Sequence, residues 1–210
     1  MDLLQTETDR QFNKEREVVV IVGKTGQGKS YWTKKFLRTK NRVVIVDPMF
    51  EYERSKQFDE FDELVDYVQD KKIFRVSYNN LADFPFLCQV VWELGKCYLV
   101  IEESQRVLPG GARPLPEEFE QLLYRGRHRD VSVVLVAQRA STIHIAARSQ
   151  WSRLIVFKQT EPKDLSWIAD TTGYDLEEKI RTLKEYHHFE ITPKTCHLKF
   201  NDQIIEKGST

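Results

Sequence analysis

The 210-residue chain carries 32 basic and 32 acidic side chains, so composition alone points to no polyanionic partner. Such a length buries the core of one α/β domain without disulfides. Cys88, Cys97 and Cys196 lie in mostly apolar runs without CxxC spacing, as reduced core thiols do. No apolar run reaches membrane-spanning length, and no basic stretch followed by an apolar one opens the chain. No membrane span and no secretion are therefore expected.

Residues 1–16 are polar and charged, an expected N-terminal arm before a single domain over 17–200 and a tail over 201–210. From Val18 onward, apolar strands alternate with helical segments, the pattern of a mostly parallel sheet covered on both faces by helices. The first strand, Val18-Val19-Val20-Ile21-Val22, runs into Gly23-Lys24-Thr25-Gly26-Gln27-Gly28-Lys29-Ser30, with Tyr31 entering a helix. Strand, glycine loop, Lys-Ser and helix make a complete P-loop, which implies binding of a nucleoside triphosphate. Its glycines let backbone N–H groups turn inward onto phosphate oxygens. Lys29 supplies charge to the β- and γ-phosphates, Ser30 is placed to ligate Mg²⁺, and the helix start aims its positive end at the same anion.

Further strands are predicted over 43–46, 73–76, 98–101, 131–136 and 154–157, with helices over 31–38, 61–69, 86–94, 117–124, 143–147, 163–169 and 176–183. Residues 187–191 and 197–200 read as a terminal hairpin, and 109–116, rich in Pro and Gly, as a loop. Lys34 and Arg38 share one face of the P-loop helix, read as solvated. Trp32, Trp92, Trp151 and Trp167 sit among apolar residues as core or interface anchors, and His187-His188 lacks a third metal ligand.

Cys97-Tyr98-Leu99-Val100-Ile101-Glu102-Glu103 is an apolar strand ending in two acids, which fits a Walker B element. Glu102 is expected to hold Mg²⁺ and Glu103 to orient or deprotonate the attacking water. A Glu where Asp is usual leaves the partition of roles between the two open. The next apolar strand ends in Gln138, suited to sensing a γ-phosphate. Arg125, Arg127 and Arg129 crowd the segment before that strand. In a ring, one of them could reach a neighbour's nucleotide as an arginine finger.

The order P-loop, Glu102-Glu103, Arg127-His128, then Ala137-Gln138-Arg139-Ala140-Ser141 resembles the FtsK–HerA superfamily of DNA-pumping ATPases, as does Asp47-Pro48-Met49-Phe50-Glu51-Tyr52 after the second strand. The short length and Glu161-Pro162-Lys163-Asp164-Leu165-Ser166-Trp167-Ile168 look most like the small genome-packaging ATPases of membrane-containing icosahedral viruses. The resemblance covers about 18–200 and is weaker in its C-terminal third. It implies a P-loop NTPase fold and an ATP- and Mg²⁺-dependent hexameric ring that moves double-stranded DNA into a preformed capsid. Capsid vertex or portal proteins are then partners, and host cytoplasm and virion the locations. Carried over residue by residue, Lys29 and Ser30 serve nucleotide and metal, Glu102 metal, Glu103 catalysis and Gln138 sensing. Arg127 best matches the trans arginine, with Arg125 and Arg129 as competitors. No DNA-reading domain like that of cellular chromosome pumps is visible, so loading at a chosen sequence is expected to need another protein.

DNA contact needs only a few cations on loops, and Arg106 and Arg113 flank and occupy the Pro/Gly loop, which is read as channel-facing or as an inert excursion. Two other readings share the P-loop: a nucleoside- or nucleotide-type small-molecule kinase, and a phage assembly or secretion ATPase. A switch GTPase is disfavoured without an Asn-Lys-x-Asp motif, and an ABC ATPase without Leu-Ser-Gly-Gly-Gln.

Overall fold

The computed structural model describes residues 16–201 and 203–207. Residues 1–15 of the expected N-terminal arm lie outside the described residues. The described residues form the strands β1 (Val18–Val22), β2 (Arg42–Val46), β3 (Lys56–Phe58), β4 (Phe74–Tyr78), β5 (Tyr98–Ile101), β6 (Ser132–Ala137), β7 (Arg153–Val156), β8 (His187–Thr192), β9 (Thr195–Phe200) and β10 (Gln203–Lys207), with β-branched runs in β1, β2 and β6. Between them run α1 (Lys29–Phe36), α2 (Phe61–Val68), α3 (Phe84–Leu94), α4 (Glu117–Arg125), α5 (Ile145–Gln150), α6 (Pro162–Thr172) and α7 (Glu177–Arg181). The helix α4 shows why the sequence folds so. Phe119, Leu122 and Leu123 form one buried stripe, while Glu117, Glu118 and Glu120 in the first turn and Arg125 in the last complement the helix dipole.

All ten strands join one sheet in the order β10-β9-β8-β7-β1-β6-β5-β2-β4-β3. From β7 to β3 every pairing is parallel, whereas β8, β9 and β10 add on antiparallel. Every residue of β1 is buried, as a parallel strand covered on both faces requires. Strand alternation divides the core. Val18, Val20 and Val22 face the larger layer under α2, α3, α4 and α6. Val19 and Ile21 face a smaller one filled by Trp32 of α1 and Leu37 just after it. The expected doubly covered parallel sheet and C-terminal hairpin are both present.

Differences lie at the margins. The short edge strand β3 has no apolar run to announce it. Within the expected tail, β10 extends the hairpin to three strands through Asn201, which takes the left-handed turn conformation that Asn tolerates (φ 47°). The loop at 109–116 has no regular structure but is tied down. Ile145 N–H donates to the Gly111 carbonyl at 3.2 Å, and Leu115 is buried. Trp32 and Trp167 are buried and Trp92 and Trp151 pack on the core, while all three cysteines are buried and free. Among the described residues, no helix is long and apolar enough to cross a membrane.

Candidate active site

Parallel strands deliver their C-terminal ends to one edge of the sheet, where the loops gather. The P-loop leaves β1 there, Asp47 leaves β2, Glu102 and Glu103 leave β5, and Gln138 leaves β6. Because β6 lies between β1 and β5, Gln138 stands between the phosphate loop and the two glutamates. Thr25, Gly26, Gly28, Lys29, Ser30 and Tyr31 line a cavity of about 300 Å³, closed by Glu51, Glu102, Glu103, Gln138 and Tyr186.

The loop is strapped at its start: Gly23 N–H donates to the Ala137 carbonyl at 3.3 Å and Lys24 N–H to the Lys158 carbonyl at 3.2 Å. A Cβ at Gly23 would lie 2.5 Å from the Phe157 Cβ, so only glycine fits. Gly28 has φ 107°, and a Cβ there would meet the Tyr186 ring at 2.9 Å. Gln27 N–H closes the turn onto the Lys24 carbonyl at 3.4 Å, which also accepts from Lys29 Nζ at 3.1 Å. Burial lowers the Lys29 ammonium pKa, and Glu102, Glu103 and Glu51 oppose that shift. Ser30 Oγ donates to Glu51 Oε2 at 3.4 Å.

The two glutamates occupy different environments. Glu102 is buried and accepts the Tyr52 hydroxyl, and the Tyr52 N–H donates to Asp47 Oδ2 at 3.0 Å. Burial pushes the Glu102 carboxyl up to about 7, with Glu51 and Asp47 adding to the rise while Tyr52 and Lys29 oppose it. Glu103 is half-buried with a left-handed backbone (φ 46°, ψ 50°), a conformation costing about 1 kcal/mol that clusters at functional sites. Its Oε1 accepts from Gln138 Nε2 at 3.3 Å, and its Oε2 pairs with Arg106 Nη1 at 3.5 Å. The Gln138 carbonyl is held in turn by the buried Gln159, whose Nε2 donates at 3.0 Å.

The arginines lie elsewhere. Arg125, Arg127 and Arg129 precede β6, at the edge opposite the P-loop, roughly 20 Å away along a six-residue strand. Arg129 Nε and Nη2 donate to the Trp92 and Glu93 carbonyls at the end of α3, at 2.9 and 2.5 Å. Arg125 and Arg127 are exposed.

Sequence reading assigned no role to Glu51, Tyr52, Gln159 or Tyr186. The run after Asp47-Pro48 is a local signal for the first two. Gln159 and Tyr186 reach the site only through the sheet, and nothing nearby in the chain marks them. Among the described residues no group of three or more His, Cys, Asp or Glu could hold a metal by itself. One hydroxyl and one buried carboxylate facing a phosphate cradle fit Mg²⁺, which is commonly bound by one or two protein groups plus substrate phosphates.

A family model described as an AAA domain matches residues 10–143. No curated protein matches the chain. Among solved structures, the genome packaging NTPase B204 of Sulfolobus turreted icosahedral virus 2 in complex with AMPPCP superposes with a TM-score of 0.73. It is 23% identical, over 89% of this chain and 97% of that one. The same protein with ATP-gammaS gives 0.75 at 23% identity, over 91% and 100%. VirB4 of Thermoanaerobacter pseudethanolicus gives 0.61 at 10% identity, over 90% of each chain. The expected likeness to packaging ATPases is present in the fold.

Proposed function

Since this chain belongs to the AAA domain family and is a P-loop ATPase, we propose that it is a motor whose ATP hydrolysis drives double-stranded DNA into a viral capsid. One observation carries the catalytic half: Glu103, in a strained backbone conformation, is hydrogen-bonded to Gln138 in the cavity that Lys29 lines. ATP lies with its phosphates in the P-loop amides, and Lys29 transfers its bond from the Lys24 carbonyl to the β- and γ-phosphates. Ser30 and Glu102 would hold Mg²⁺, which when bound would supply positive charge against the transferring phosphoryl. Glu103 orients the attacking water and takes its proton. Gln138 leaves Glu103 for the γ-phosphate when ATP is bound, so its position reports the nucleotide state. Glu102 is left as the metal carboxylate, its burial suited to a permanent cationic partner.

Arg106, three residues before the loop at 109–116, pairs with Glu103, so a change at the γ-phosphate is felt in the segment read as channel-facing. Arg127 is the trans arginine: it is exposed at the edge opposite its own cavity, whereas Arg129 is committed to α3 within its own subunit. A hexameric ring, seated on capsid vertex or portal proteins in cytoplasm and virion, completes the reading, which the fold likeness to a packaging NTPase supports. A kinase lid needs cations over the acceptor, but among the described residues Lys29 is the one cation lining the cavity.

ATP turnover measured with and without double-stranded DNA, with the particle mass determined in the same buffer, tests the reading. Expected are stimulation by DNA and a ring-sized particle. Phosphate transfer to a nucleoside or nucleotide, with no response to DNA, selects the kinase instead.

A further inference from the structure

Beside the nucleotide cavity, and sharing Tyr31 with it, lies a second cavity of about 240 Å³. Its lining is cationic. Lys34, Lys35 and Arg38 come from α1 and the turn after it, Arg54 from the loop beyond β2, and Arg75 from β4; Glu53 is the one acid. Helical periodicity alone leaves Lys34 and Arg38 on a solvated stripe. The fold instead gathers Arg54 and Arg75 around the same space.

Among the described residues, Lys34, Arg38, Arg54 and Arg75 pair with no carboxylate. Lys34 Nζ lies 5.4 Å from the centroid of the Tyr52 ring, which also lines the cavity. Arg75 Nη2 donates to the Leu37 carbonyl at 2.5 Å and to the Lys40 carbonyl at 3.4 Å, while its buried Nε has no hydrogen-bond partner. Burial and the charge of Arg54 both lower the Arg75 guanidinium pKa. Cations gathered this closely repel one another, and an entering anion relieves that repulsion.

We propose that this cavity is a second anion site, separate from the P-loop, which takes a phosphate ester from a nucleic-acid backbone or a small phosphoanion. Guanidinium forks match tetrahedral oxyanions bidentately, and Lys34 adds a point charge. The site also has a route to catalysis. Tyr52 belongs to the lining of this cavity and donates its hydroxyl to Glu102, so an anion that shifts Tyr52 shifts the carboxylate at the ATP site.

The test uses full-length protein saturated with AMPPCP and Mg²⁺, so that the P-loop is already filled. One arm titrates a fluorescein-labelled double-stranded oligonucleotide by anisotropy; the other titrates pyrophosphate by calorimetry. Arg38 and Arg54 are exposed, so the variants Arg38→Glu, Arg54→Glu and the double change should fold. Retained binding of a fluorescent ATP analogue at the P-loop verifies that.

Each reversal is expected to weaken one probe by about tenfold or more. Loss in the DNA arm, with a salt slope lowered by about one per contact, identifies a strand backbone. Loss in the pyrophosphate arm identifies a small phosphoanion. Unchanged binding of both probes by the double variant overturns the proposal. So does a wild-type chain that binds neither, and in that case the ATPase reading still stands.

Discussion

Glu102 and Glu103 are adjacent in the chain, yet one is buried against Tyr52 and the other half-buried beside Gln138, and the proposed reaction divides its work accordingly. Glu103 can reach a water, because it is half-buried and its partners Gln138 and Arg106 are both exposed. The Glu103→Gln protein should bind ATP within about twofold of wild type but turn over roughly 10²- to 10⁴-fold more slowly. Equilibrium binding of a fluorescent ATP analogue and steady-state phosphate release measure the two quantities. Normal turnover would move the base elsewhere. Glu102 makes a prediction about pH. Its folded-state pKa rises from an ordinary 4.5 to about 7, so between those values the folded nucleotide-free protein holds more protons than the unfolded chain. Stability from this group is therefore present at the low end of that window and is lost as pH rises through it. Thermal melts across the window should show a falling Tm in wild type and a flatter profile in Glu102→Gln. A steeper fall in the variant would contradict the burial argument.

At the level of elements, the site depends on which strands are neighbours. The intervening position of β6 puts Gln138 within reach of Glu103, and the segment after β2 reaches both halves of the site, Ser30 through Glu51 and Glu102 through Tyr52. The P-loop was legible because its function is local: eight consecutive residues after an apolar run contain the whole device. Gln159 was not, since its partner lies 21 residues away, and the bond from Tyr52 to Glu102, 50 residues off, likewise forms only once the strands have paired. The helix α6 illustrates the same dependence. Asp164, fully buried, accepts Ser141 N–H at 2.9 Å and Arg139 Nε at 3.1 Å, which fastens the segment after Gln138 to this helix. Removing it leaves the Ser141 amide without its acceptor and frees a half-exposed guanidinium, so Asp164→Ala should cost about 1 to 2 kcal/mol in urea unfolding. Asp164→Asn, which keeps an acceptor for the amide, should cost less. Equal losses would argue against the hydrogen-bond account.

For the whole molecule, the decisive feature is that the arginine cluster and the phosphate cradle occupy opposite edges of one sheet. Arg127 is exposed at the edge far from its own cradle, which is why the proposed ring gives it a trans role. Arg127→Ala protein should bind nucleotide normally and turn over poorly. Mixing it with Lys29→Ala subunits, which cannot use ATP but carry an intact Arg127, should restore part of the activity in proportion to mixed-ring formation. No restoration at any ratio would remove Arg127 from a trans role. Mixing also separates ring chemistry from a structural part for Arg127, because a misfolded subunit would not be rescued.

Strand-rich alternation, the glycine loop and the acid pair follow from short-range rules of backbone freedom and apolar periodicity, so the parallel sheet and the triphosphate cradle could be read from the order of residues alone. Tertiary pairing decided the rest. It buried Glu102 under Tyr52, set Gln138 against Glu103, tied Arg129 to its own subunit and closed a ring of cations around a second cavity. Those outcomes depend on distances between residues far apart in the chain, which no local pattern encodes.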